Sequence, residues 1–126
     1  MNVNMRRQYF ALDLKNDHTL IAEYERWHWP DKIWPEVVEH LRAAGINELE
    51  IFRCGDRLTM VMEVPDEFSA ADQAALREAS QCVRDWEELM WRFQRPLPFA
   101  VAGEKWVPMK KVFSLTEALR EREGGK

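Results

Sequence analysis

The chain has 126 residues, 46% of them hydrophobic and 32% charged, with a net charge of −4. That length suits one domain around one core, and the balance is that of a globular protein rather than a disordered or fibrous one. The negative charge and the lack of a dense Lys/Arg run argue against a nucleic-acid partner. Residues 1–8 hold two arginines but no apolar run long enough for a leader or a membrane span, so no membrane partner and a cytoplasmic location are expected.

Tyr9-Phe10-Ala11-Leu12-Asp13-Leu14 reads as a first strand, short and mostly apolar, ended by Lys15-Asn16-Asp17. Asp17 is an N-cap for a helix whose Leu20, Ile21, Tyr24 and His28 share one face. Pro30 stops or bends that helix. Pro35 opens a second helical segment with a stripe of Val37, Val38 and Leu41, and Gly45 closes it. Strands follow over residues 49–54 and 57–64, with Gly55-Asp56 as the hairpin turn between them. In the second of these Leu58, Met60, Met62 and Val64 face the core.

Ser69 and Asp72 stand at capping-box spacing before a long helical region, which Ser80-Gln81 can split. Its apolar stripe reads as Ala75, Ala79, Cys82, Val83, Trp86, Leu89, Met90 and Phe93. Pro96-Leu97-Pro98 ends it. Residues 106–113 read as a last strand, which Pro108 restricts to an edge or a bulge. The tail from Thr116 is polar and charged. No repeat or linker interrupts the chain, so residues 1–126 are expected to form a single domain with a core over about 8–115.

The order β-α-β-β-α-β is the ferredoxin-like α+β pattern, a four-stranded antiparallel sheet with helices on one face. The other face needs covering, and a second copy of the chain supplies a cover, so a homodimer is expected.

The two cysteines, Cys54 and Cys82, lack metal-like spacing and read as small buried hydrophobes. Six tryptophans are many for this length, and Trp27, Trp29 and Trp34 fall within eight positions. Flat indoles build a core or line a pocket, and they suit the apolar faces of sugars. Of three histidines, His18 and His40 read as structural or solvent-exposed. His28 differs: it follows Tyr24 by one helical turn and is flanked by indoles, the content of a small-molecule pocket. A core histidine held among packed aromatics remains the alternative on residues alone.

The stretch Tyr24-Glu25-Arg26-Trp27-His28, followed by Ile33-Trp34-Pro35-Glu36, resembles the L-rhamnose mutarotase family. Val61-Met62-Glu63, Asp85-Trp86-Glu87-Glu88-Leu89-Met90 and Lys111-Val112-Phe113-Ser114-Leu115 are similar to its third strand, tryptophan-bearing helix and closing strand. The resemblance implies a dimeric α/β barrel of ferredoxin-like subunits acting on a monosaccharide. It implies acid–base chemistry at His28 and sugar contacts from Tyr24 and Trp86. Two extra residues lie between His28 and Trp34, Glu87 replaces a second tryptophan, and Leu49 replaces a tyrosine, so the pocket departs from the rhamnose enzymes. The segment 93–109, with Pro96-Leu97-Pro98 and Gly103-Glu104-Lys105-Trp106, resembles a branch linked to L-fucose breakdown, which favours L-fucose.

Mutarotation opens a cyclic hemiacetal to the aldehyde and recloses it on the other carbonyl face. The ring oxygen gains a proton and the anomeric hydroxyl loses one, so a general acid and a general base suffice and no cofactor or metal is expected. His28 is the expected acid, because both proton states of an imidazole are available near neutrality. Tyr24, Asp13 and Glu63 are candidates for the base or for holding a hydroxyl. Trp86 is expected to stack on the sugar, with Trp27, Trp29, Trp34, Met60 and Met62 as the surrounding wall. A non-catalytic sugar-binding module, or a related barrel enzyme on another small ligand, is the alternative reading.

Overall fold

A computed structural model describes residues 4–124. The elements in chain order are β1 (Met5–Leu14), α1 (His18–Trp27), α2 (Pro35–Ala43), β2 (Glu48–Cys54), β3 (Arg57–Pro65), α3 (Ala70–Ala79), α4 (Gln81–Trp91), β4 (Gln94–Arg95), β5 (Val107–Pro108) and α5 (Leu115–Gly124). Among the described residues, no helix is long and apolar enough to cross a membrane.

The expected caps are present. The Asp17 carboxylate accepts from the amides of Thr19 and Leu20, satisfying two donors that α1 itself leaves free. Ser69 Oγ accepts from the Asp72 amide at 3.1 Å. Gly45 and Gly55, at φ of 88° and 61°, supply the left-handed residues that end α2 and turn the β2–β3 hairpin. Ser80 leaves the helical region, at φ −109° and ψ 111°, and its hydroxyl then caps α4 through the Val83 amide.

The sheet is antiparallel, in the order β2-β3-β1-β4, which is the ferredoxin-like arrangement. The fourth strand is not the one the sequence suggests. Residues 94–95, directly after α4, pair with Asp13 and Leu14, whereas the expected strand over 106–113 shrinks to Val107–Pro108, pairing with Phe10 and Ala11. Both lie on the same edge of β1, and Pro108, with no amide hydrogen, limits the second to two residues.

Alternation decides the faces. Gln8, Phe10, Leu49, Ile51, Met60 and Met62 point toward α1–α4. Leu14, Leu58, Tyr24, Val37, Trp86, Met90 and Phe93 form the main core between sheet and helices. The expected stripe on α3 is displaced: Ala75 and Ala79 are exposed, and Ala70, Gln73 and Arg77 face inward instead. The break at Ser80 resets the helical phase, so one stripe cannot run through both helices. Cys54 is exposed and Cys82 half-buried, so neither is the buried hydrophobe expected. Cys54 ends β2 on the face away from the helices, and Cys82 lies in the first turn of α4.

Candidate active site

Between the sheet and the helices lies a cavity of about 350 Å³. That is the low end of the range for small-molecule pockets, which is roughly 300–1,000 Å³. Its walls come from β1, β2 and β3 on one side and from α1 to α4 on the other, with Lys105 and Trp106 entering from the loop before β5.

His28 caps the C-terminus of α1, one turn after buried Tyr24, with the two rings 4.4 Å apart. Its Nδ1 lies 2.8 Å from the Tyr24 carbonyl oxygen. A carbonyl only accepts, so Nδ1 carries the hydrogen and the neutral ring keeps its lone pair on Nε2. Burial also holds the His28 pKa below its ordinary value, partly offset by that backbone bond. The ring is therefore neutral at pH 7 and presents an acceptor.

The Trp86 indole stands edge-on to the imidazole at 5.5 Å. Trp34 and Trp27 pack against Trp86 at 5.3 and 6.3 Å. Neither lines the cavity; they fix the orientation of the indole that does. Met60 and Met62 line the cavity as expected, while Trp29 is half exposed outside it.

Burial pushes the Tyr24 phenol up to about 12, with the neighbouring Gln94 amide acting against it. The phenol therefore stays protonated, suited to holding a hydroxyl rather than to taking a proton.

The two carboxylates expected from the sequence lie elsewhere. Asp13 is on the sheet face away from the helices, gripped by Arg57 through two hydrogen bonds of 2.7 and 3.1 Å and approached by Arg95 at 3.6 Å. The Arg57 bonds hold its pKa below the ordinary carboxylate value. Glu63 is on the same outer face, bonded to the Asn47 amide and 3.6 Å from Arg7. Strand parity explains both: odd positions of β1 and β3 point away from the cavity.

Groups without a sequence pattern take their place. His40, on the inward side of α2, lines the cavity rather than facing solvent, and burial lowers its pKa. Gln94 contributes a buried Oε1 with no hydrogen-bond partner among the described residues. Such an atom is an unmet acceptor waiting for a ligand donor. Arg77 and Glu87 approach at 3.5 Å in the opposite wall. Inward helical spacing on α2 could have marked His40. Gln94 lies in a two-residue strand and Lys105 in a loop, and neither segment is long enough to carry a period.

Fold and cavity together define a class: a small ferredoxin-like α+β protein whose pocket between sheet and helices brings together a proton-accepting imidazole and an indole. Residues 7–115 match the model of the L-rhamnose mutarotase family, and the chain belongs to that family. It is 48% identical over 122 residues to an L-fucose mutarotase of Xanthomonas campestris pv. campestris, covering 97% of this chain and 98% of that one. An L-rhamnose mutarotase of Acidiphilium cryptum is 31% identical over 113 residues, covering 86% of this chain and 98% of that one. The crystal structure of an L-rhamnose mutarotase from Formosa agariphila superposes with a TM-score of 0.62 at 20% identity, covering 87% of this chain and 98% of that one. The last shows the shared fold.

Proposed function

We propose that the protein is a sugar mutarotase interconverting the α and β pyranose forms of a 6-deoxyhexose, with L-fucose its preferred substrate. The observation that carries this reading is the His28 imidazole, its Nε2 lone pair left free by the Nδ1 bond, set beside Trp86 in a cavity sized for one monosaccharide. The 48% identity to an L-fucose mutarotase supports L-fucose over L-rhamnose.

In this reading Trp86 stacks on the apolar face of the ring and Tyr24 holds a hydroxyl. His28 Nε2 takes the proton of the anomeric hydroxyl as the ring opens and returns it to the carbonyl oxygen after that carbon has turned its other face. The sequence assigned His28 the opposite part, as acid; the Nδ1–carbonyl bond favours the base, because the resting ring has no Nε2 hydrogen to give. General base catalysis of this kind contributes on the order of 10²–10⁴-fold.

We further propose a homodimer closed through the open sheet face. Tyr9 and Phe52 are 44% and 55% exposed there, side by side with Val61 and Thr59 on neighbouring strands. An exposed apolar strip on a sheet face is a surface that a second copy can cover.

Magnetisation-transfer NMR at equilibrium measures anomer exchange directly. The protein is expected to accelerate exchange of L-fucose more than that of L-rhamnose or D-galactose. Exchange of all three at the buffer rate would contradict the mutarotase reading.

A further inference from the structure

Ring opening requires a second group, one that gives a proton to the ring oxygen while His28 removes one from the anomeric hydroxyl. The titratable groups in the cavity wall among the described residues are Tyr24, His28, His40, Arg77, Glu87 and Lys105. Tyr24, pushed up to about 12, releases its proton poorly. His40 is neutral for the same reason as His28, since burial disfavours its cation. A guanidinium does not give up its proton in a protein, which removes Arg77. Glu87 is paired with Arg77 and serves as an acceptor.

We propose that Lys105 is the general acid that protonates the sugar ring oxygen; the assignment rests on the mutarotase reading above. Three observations support it. The Lys105 ammonium has no carboxylate within 4.0 Å among the described residues, although the side chain is half-buried. Its contacts are the Trp91 ring face, 4.8 Å from Nζ, and the Glu87 carbonyl oxygen at 3.4 Å. Those contacts hold Nζ against α4, the helix that carries Trp86, the indole on which the sugar is expected to stack. An ammonium carries three donors, so at least one remains for a ligand.

Burial lowers the Lys105 pKa from its ordinary 10.5; Glu87 opposes that shift and Arg77 adds to it. Lowering makes the ammonium a better acid.

The step balances. His28 Nε2 takes the hydroxyl proton, and the O–H electron pair becomes the second bond of the carbonyl. The bond from the anomeric carbon to the ring oxygen breaks, its pair stays on that oxygen, and the oxygen takes a proton from Lys105. The imidazole is then charged and the amine neutral, so the total charge of the site is unchanged. Closure on the other carbonyl face reverses both transfers and restores the enzyme.

Lys105→Met and Lys105→Arg distinguish this role from a structural one, because Arg keeps the charge and the donors but has no proton acidic enough to give up. Both are expected to lower kcat for L-fucose exchange on the order of 10²–10⁴-fold with a much smaller change in KM. Wild type is expected to lose activity on the alkaline side below pH 10.5 as Lys105 titrates, and Lys105→Arg to lose that limb. A Lys105→Arg enzyme with wild-type kcat and an unchanged pH profile overturns the assignment while leaving the mutarotase reading intact. Absence of exchange by the wild type overturns both.

Discussion

Asp13 shows how a charged residue can be buried without serving chemistry. It is 2% exposed, yet both of its oxygens meet Arg57, and Arg95 lies nearby. Asn in its place would keep the shape but lose charge-assisted hydrogen bonds. With the arginines about half exposed and partly screened, Asp13→Asn is expected to cost about 1–2 kcal/mol of stability, measured by denaturant unfolding. Its anomer-exchange rate should match wild type; a loss of rate at unchanged folding would return Asp13 to the list of bases. The linkage has a definite sign. The native pKa of Asp13 lies below its ordinary 3.8, so the contribution is complete above that value and fades as pH falls through the native pKa. The cavity histidines act in the other pH range. Buried as neutral rings, they oppose folding progressively once pH drops below their ordinary 6.5.

At the scale of elements, what the sequence disclosed follows from whether an element has enough residues to show a period. β1, α1, α2, the β2–β3 hairpin and the Ser80 break all announce themselves through alternation, caps or a Gly-containing turn, and each is present. β4 is two residues long, shorter than any alternation can register, so the longer apolar run after Trp106 looked like the fourth strand. The same limit governs the site. Tyr24 and His28 are one turn apart on a single helix, so their meeting is legible, and Trp86 follows from the stripe on α4. Asp13 and Glu63 were misplaced because a carboxylate in an apolar strand looks functional until strand parity is settled by pairing. Lys105 reaches the cavity from a loop and Gln94 from the two-residue β4, where only tertiary packing decides what a side chain faces. His40 lies outside the stripe of Val37, Val38 and Leu41, although Val38 is exposed and His40 points inward. The polar residue, not the apolar one, completes that face because the face borders a pocket rather than a core.

For the whole molecule, one sheet has two different surfaces. The helix-covered face holds the core and the cavity, and the other leaves Tyr9 and Phe52 in solvent. Between β5 and α5, Val112 and Phe113 are 91% and 70% exposed and add apolar surface that a second copy could cover. Light scattering coupled to size exclusion is expected to give twice the 15.0 kDa of one chain, and Phe52→Asp to shift the population toward the monomer. A wild-type mass of one chain at micromolar concentration would contradict the dimer.

The central claim is that a neutral His28, with its Nε2 lone pair directed to a bound pyranose, takes the anomeric proton. The most direct measurement is L-fucose anomer exchange by magnetisation-transfer NMR at pH 7, comparing wild type with a folded His28→Ala variant. The account predicts that exchange falls on the order of 10²–10⁴-fold, toward the uncatalysed rate. Exchange in His28→Ala as fast as in wild type would contradict it.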